Sequence, residues 1–226
     1  MFRRFRFAAV LFALAGCGGE KQPPAADERG GAEEAPERRS APAAPAGDET
    51  APDEFAVRLD TTAGEIVLDV HRDWAPRGAD RFYTLVERGY YEDVAFFRVI
   101  DGFMAQAGVH GDPAINEAWR ARRIDDDPVR QSNTRGRVAF AMAGPDSRTT
   151  QFFISFGDNS KLDGMGFAPF AEVRDMAAVD ALYAGYGECA PKGSGPSQRR
   201  AQLEGNAYLK KSFPKLDYIR AAEIID

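Results

Sequence analysis

The sequence predicts a mainly β domain: eight antiparallel strands closed into a small barrel, with two α-helices capping it. Three observations carry this. Residues 54–226 hold eight short apolar runs rich in Val, Ile, Phe and Leu, separated by turn-forming residues. Within Glu65-Ile66-Val67-Leu68-Asp69-Val70, the residues Ile66, Leu68 and Val70 recur at the period of a strand with one face buried. Two further stretches show helical spacing between a cap residue and a terminating glycine. The length of this region fits one domain with a sizeable core.

The elements follow in order. Phe55-Ala56-Val57-Arg58-Leu59-Asp60 and Glu65–Val70 flank the turn Thr61-Thr62-Ala63-Gly64 and are expected to pair as a hairpin. A helix is expected next, with Asp73 as its cap and Pro76 in its first turn. Ala79, Phe82, Tyr83 and Val86 share one face, and Gly89 is the stop. Strands are expected over Val94–Ile100, Phe103–Ala107, Val138–Met142, Phe152–Phe156 and Phe167–Val173, a number that suggests a closed sheet. The second helix is expected over Met176–Tyr183, capped by Asp175 and followed by Gly185; Leu216–Ile225 supplies the last strand. Two segments carry no firm assignment. In 112–133, Asn116–Ile124 has the pattern of a short helix bearing Trp119; 187–214 opens with a Gly-, Pro- and Ser-rich stretch.

The N-terminal part has a different character. Arg3, Arg4 and Arg6 precede a short apolar run, Phe7–Ala15, which is too short to span a bilayer and reads as an export signal. Leu14-Ala15-Gly16-Cys17 resembles a bacterial lipobox, which implies a lipoprotein signal peptide over 1–16 and lipidation of Cys17. The alternative is an ordinary secretory signal. Lipidation leaves Cys189 as the only thiol; a Cys17–Cys189 disulfide is the other possibility. From Gly18 to Asp53 there is no Val, Ile, Leu, Met, Phe, Tyr or Trp, so a disordered tether is expected, with a reach of about 30 to 35 Å as a flexible coil. The formal charge of −6 falls to −9 if Arg3, Arg4 and Arg6 leave with the signal, and nothing in it favours nucleic acid.

The run Phe96-Phe97-Arg98-Val99-Ile100-Asp101-Gly102-Phe103-Met104-Ala105-Gln106-Ala107-Gly108 sets one arginine and one glutamine among aromatics at strand spacing. After it come Gly136-Arg137-Val138-Ala139-Phe140-Ala141-Met142-Ala143-Gly144-Pro145, then Gln151-Phe152-Phe153-Ile154-Ser155, then Leu162-Asp163-Gly164. In that order the blocks resemble the active-site strands of the cyclophilins, which are peptidyl-prolyl cis/trans isomerases. The resemblance implies a closed barrel whose binding groove lies on the outer face. A lipocalin-like barrel would not place a helix between the second and third strands.

Rotation about a peptide bond is opposed by roughly 18 to 20 kcal/mol, because the twisted amide loses its resonance. No bond breaks, so the useful groups are an apolar pocket for the proline ring, donors for the flanking backbone, and a cation that can donate to the prolyl nitrogen. Arg98 stands in an otherwise apolar strand and needs acceptors nearby; the resemblance gives it the catalytic role, with Gln106 orienting it. By the same resemblance Phe103, Met104, Phe153 and Leu162 line the proline pocket, and Gln151, Ala141 and Met142 hold the extended peptide. The family's usual histidine after Leu-Asp-Gly is absent, and Phe167 is expected to form that wall. Lys161 stands where a tryptophan often contacts cyclosporin, so weak inhibition by that drug is expected. Arg148, near the family's second pocket, is a candidate for favouring acidic or small side chains upstream of proline.

Other chemistries find little support. His71 and His110 have no ligand set around them, so no metal or other cofactor is expected. Asp125-Asp126-Asp127 lacks the spacing of a calcium loop and reads as a solvated connection. The expected function is a monomeric folding catalyst of the bacterial envelope, held by its lipid, acting on proline-containing exported proteins. The outer membrane is favoured because Gly18, not aspartate, follows Cys17. The competing function is a non-catalytic chaperone or scaffold that binds proline-containing peptides in the same groove.

Overall fold

The structure is a computed structural model and describes residues 47–225. The expected signal peptide, Cys17 and the tether as far as residue 46 lie outside the described residues.

The hairpin forms as expected from β1 (Glu54–Thr61) and β2 (Gly64–His71). Val57 pairs with Leu68 and Leu59 with Ile66, and all four are fully buried. Gly64 closes the turn at φ +127°, a conformation that a side chain would strain. Helix α1 (Pro76–Glu87) lays Ala79, Phe82, Leu85 and Val86 on the sheet, where Phe82 meets Phe170 at 5.0 Å and Phe152 at 5.7 Å between ring centres. Its N-cap position is Ala75, which offers no side-chain acceptor. Asp73, the expected cap, lies two residues too early to reach the first turn. The aspartate that serves instead is Asp127, whose carboxylate accepts from the N–H of Arg77 at 3.1 Å and of Gly78 at 2.9 Å.

The expected strand over 94–100 is two strands, β3 (Val94–Ala95) and β4 (Arg98–Ile100), so the sheet has nine strands where eight were expected. The others are β5 (Met104–Ala107), β6 (Arg137–Phe140), β7 (Phe152–Ser155), β8 (Pro169–Val173) and β9 (Tyr218–Ile225). Their order is β3-β9-β1-β2-β8-β6-β7-β5-β4, and every pairing is antiparallel. The two strands at the ends of this order are consecutive in the chain. Phe96-Phe97 therefore carries the chain from one edge of the sheet to the other, and the sheet is a curled half-barrel whose edge strands β3 and β4 do not pair, where a closed barrel was expected. Phe96 is buried in the main core and Phe97 in a second cluster with Val109, Ala201, Tyr208 and Leu209.

That second cluster explains the 187–214 segment. Helix α4 (Gln198–Ser212), capped by Ser197, covers Phe97 with Ala201, Tyr208 and Leu209. Gly205 breaks it at φ +57°, and the next residue donates from Asn206 N–H to Gly111 O at 2.9 Å. A Cβ at Gly205 would stand 2.0 Å from that oxygen, so only glycine permits the join. Gly111 leads into α2 (Pro113–Arg120), which Asp112 caps and which buries Trp119 beside Tyr90. The second expected helix is one turn, α3 (Ala177–Asp180), with Asp175 accepting from Ala177 N–H. Four α-helices are thus present among the described residues: the two expected, α2 where Asn116–Ile124 has the pattern of a short helix, and α4, for which no helix was read.

The expected tether also ends earlier than composition suggests. Asp48 pairs with buried Arg81 at 2.7 Å, Glu49 N–H donates to Thr84 Oγ1, and Ala51 N–H donates to Asp80. Residues 48–51 thus run along α1, held by polar bonds that an apolar count does not register.

Candidate active site

Strand register assembles the site. Arg98 lies opposite Gln106, Gln106 opposite Phe153, and Phe153 opposite Ala139. Alternation along each strand then sends Ile100, Met104 and Ala141 to the same outer face. Met104, Ala139, Phe153 and Leu162 form a buried apolar patch, with Phe103, Ala141 and Phe167 packed at its margin. A groove of about 440 Å³ opens over this patch. Arg98, Phe103, Met104, Gln106, Ala141, Met142, Gln151, Phe153, Leu162 and Phe167 all line it, so the structure brings together every residue expected in catalysis or peptide binding.

Phe167 reaches the groove because of the turn before it. Ser160–Met165 is a 3-10 helix that ends at Gly166 in the left-handed region, φ +88°. The chain turns back there, and Phe167 stands edge-on to Phe153 at 5.7 Å. Asp163 anchors the turn, accepting from Ser132 Oγ, Asn133 N–H and Asn133 Nδ2, while Asn133 Nδ2 also donates to Phe167 O. Burial opposes ionisation of Asp163, but the bonds from Ser132 and Asn133 outweigh it and hold the carboxyl below its usual range.

A chain of polar bonds crosses the groove floor. Arg98 Nη1 donates to Gln106 Oε1 at 3.1 Å, and Gln106 Nε2 donates to Gln151 Oε1 at 2.9 Å. Gln198 of α4 donates to the same Gln151 oxygen at 3.2 Å. Backbone is engaged as well, with Ala141 N–H donating to Gln151 O at 2.8 Å. Arg98 is 6.0 Å from the centre of the Phe103 ring, and Lys161 approaches the same ring at 5.4 Å from outside the groove lining.

Three features of the groove escaped the sequence. Glu188 grips Arg98 side-on, accepting from Nε at 2.6 Å and Nη2 at 2.7 Å. The bonds from Arg98 hold the Glu188 carboxyl below its usual range. A depressed acid stabilises the fold above its unfolded range, so this contribution is lost as pH falls through the lowered value. The second feature is a pair of arginines, Arg120 and Arg123, on the groove wall from the unassigned 112–133 segment. The third is the wall that α4 contributes through Gln198 and Gln202. A lone acid within the Gly-, Pro- and Ser-rich stretch was the only sequence signal for Glu188, and it is a weak one.

Arg148 requires correction. It does not line the groove; its side chain is 2% exposed, bonded to Asp127 Oδ2 at 3.0 Å and to Asp125 O. Its neighbours Ser147 and Thr149 line the groove while it points into the protein. Asp125-Asp126-Asp127 is likewise no solvated connection, since Asp127 is buried. Among the described residues no group of three or more His, Cys, Asp or Glu could hold a metal. Cys189 follows Glu188, and burial pushes its thiol up to about 11. Alkylation of Cys189 at pH 8 is expected to run roughly a hundredfold slower in the folded protein than in denaturant, read by mass spectrometry of the modified peptide.

Comparison with known proteins gives the family. The family model for cyclophilin type peptidyl-prolyl cis-trans isomerases matches residues 56–192. The chain belongs to the cyclophilins. A peptidyl-prolyl cis-trans isomerase of Dictyostelium discoideum, cypE, is 37% identical over 117 residues, covering 49% of this chain and 73% of that cyclophilin. The peptidyl-prolyl cis-trans isomerase-like 1 of Rhizopus delemar is 38% identical over 111 residues, covering 48% of this chain and 67% of its own. In fold, the chain resembles a crystal structure of a Cryptosporidium parvum cyclophilin, with a TM-score of 0.57 at 21% identity over 76% of this chain and 98% of that one. A second structure of that cyclophilin, obtained in the presence of the dipeptide Ala-Pro, gives a TM-score of 0.56 at 22% identity, with 76% and 99% covered.

Proposed function

We propose that this cyclophilin accelerates cis/trans rotation of X-Pro bonds in exported polypeptides, with Arg98 as the catalytic group. The observation that carries the reading is a guanidinium held by Gln106 at the edge of an apolar pocket built from Phe103, Met104, Phe153, Leu162 and Phe167. The proline ring enters the pocket, and the peptide lies along Ala141, Met142 and Gln151. As the amide twists, its nitrogen lone pair localises, and an Arg98 N–H donates to it. The bond exists only in the twisted state, so it lowers the barrier without tightening the ground state. Gln106 holds Arg98 by one bond and Gln151 by another, so the same amide orients the cation and the peptide-binding side chain. The Ala-Pro dipeptide present with the Cryptosporidium parvum relative is consistent with a small residue before proline.

Phe167 replaces the histidine wall by shape alone, since no proton is transferred. Lys161 reduces the apolar surface open to cyclosporin; Lys161→Trp is expected to raise inhibition by the drug, read as a lower inhibitory concentration in the rotation assay. The primary test is the cis-to-trans rate of a short Ala-Pro peptide with and without the full chain, followed by NMR exchange. Acceleration supports the isomerase. Peptide binding without acceleration moves the reading to a proline-peptide chaperone.

The envelope role rests on the sequence of residues 1–17. Lipidation of Cys17 would hold the catalyst at a membrane, with the outer membrane favoured and exported proteins as clients. Metabolic labelling with palmitate, comparing the natural chain with Cys17→Ser, tests this: label confined to the natural chain supports the anchor, and equal absence of label removes it.

A further inference from the structure

We propose that Glu188 is a positioning residue for the isomerase reaction, fixing the Arg98 guanidinium from the side so that its remaining N–H groups are aimed at the substrate. This rests on Arg98 being the catalytic group.

The geometry is that of a built clamp. An arginine side chain has five N–H donors, and a planar two-bond contact with carboxylate is its most orienting arrangement. Glu188 takes Nε–H and one Nη2–H, at 2.6 and 2.7 Å, and Gln106 takes one Nη1–H at 3.1 Å. Two donors remain, one on Nη2 and one on Nη1, and the remaining Nη1–H meets the weak acceptor Met104 Sδ at 3.8 Å. A substrate amide can displace a thioether from that donor, whereas it could not displace a carboxylate. Among the described residues Glu188 is the sole carboxylate in ion-pair reach of Arg98.

The segment carrying Glu188 is shaped to hold it. Gly187 bridges Val99, which places the segment beside the strand of Arg98. The Glu188 carbonyl accepts from Gly195 N–H at 2.9 Å, and its carboxylate accepts from Cys189 N–H at 2.8 Å. A Cβ at Gly193 would stand 2.3 Å from the Glu188 carbonyl oxygen and one at Gly195 would stand 2.8 Å from it. The glycines therefore let the loop close tightly round the backbone of Glu188, and a fixed backbone gives the carboxylate a fixed reach. An arginine on an open strand face would otherwise sample many rotamers, and a misplacement near 1 Å can cost on the order of 10²-fold in rate.

The test uses the full chain and an Ala-Pro peptide, with Glu188→Ala, Glu188→Gln, Arg98→Ala and the double variant Arg98→Ala/Glu188→Ala. Both Glu188 variants are expected to lose roughly 10- to 100-fold in kcat with little change in KM. The Glu188 change is expected to add no loss to Arg98→Ala, because it acts through that arginine. Independently of activity, the Arg98 Nε–H resonance is expected to exchange slowly with solvent in the natural chain and quickly in Glu188→Gln. Glu188 variants that match the natural rate, rotate faster, or lower the rate equally in the Arg98→Ala background overturn the proposal, as does an unchanged Nε–H. If Arg98→Ala alone keeps the natural rate, the catalytic reading falls and the clamp's role falls with it. Circular dichroism and the thermal midpoint confirm that Glu188→Gln is folded, and the resonance measurement stands even where Glu188→Ala is not.

Discussion

Arg98→Ala is expected to lower the rate of Ala-Pro rotation by about 10² to 10³, the cost of removing one preorganised transition-state donor. Two other arginines line the groove, but Arg120 ends helix α2 and Arg123 follows it, so neither lies on the strand row that Arg98, Gln106 and Phe153 define. Arg98→Lys is expected to lose nearly as much. A lysine ammonium cannot make the side-on contact with Glu188 and the bond to Gln106 in one plane, so its donor would be neither held nor aimed. Stability should change little, because the Glu188 side chain is 33% exposed and regains water when its partner goes. The affinity for a proline-containing peptide is the control, measured by titration on the same variants. An isomerase keeps most of its affinity and loses its rate, while a pure peptide binder has no rate to lose.

The parts of this site that were legible in the sequence are those that strand alternation dictates. Once Arg98, Met104, Gln106 and Phe153 are placed in strands, their shared face follows from register, and the apolar residues around them define a pocket. The hairpin β1–β2 and helix α1 were legible for the same reason, since each buries one face with a regular period. What escaped depended on contacts distant in sequence. Phe96 and Phe97 are both buried, on opposite sides of one stretch, because the chain changes sheet partners between them; no local period announces such a change. Helix α4 buries only Ala201, Gly205, Tyr208 and Leu209 and is broken at Gly205, so it lacked a continuous apolar stripe. Asp127 read as part of a solvated connection and Glu188 drew no reading, because their partners, α1 and Arg98, lie 49 and 90 residues away in sequence.

The same reasoning predicts the largest effect on stability. Asp127→Ala is expected to cost about 3 kcal/mol, the low end for breaking a buried ion pair, since Arg148 loses its buried partner but keeps Asp126 at 3.4 Å and the carbonyl of Asp125. The side chains of Asp127 and Arg148 are 1% and 2% exposed, so water cannot replace the lost partner. The N–H groups of Arg77 and Gly78 at the start of α1 lose their acceptor too, and Ala75 offers no substitute. Asp127→Asn should cost less, because it keeps a carbonyl for one helix N–H while giving up the charge. Arg148→Ala should cost less than Asp127→Ala, because Asp127 keeps the two helix N–H groups and Arg77 at 3.8 Å, and the double variant should cost less than their sum, because both changes remove the same Asp127–Arg148 contact. Urea unfolding followed by fluorescence measures all four. A loss under 1 kcal/mol for Asp127→Ala would mean that the pair is hydrated in solution. The consequence reaches function, because Ser147 and Thr149, on either side of Arg148, line the groove. Arg148 is thus a strut behind the groove wall, and weakening it is expected to raise KM before it lowers kcat.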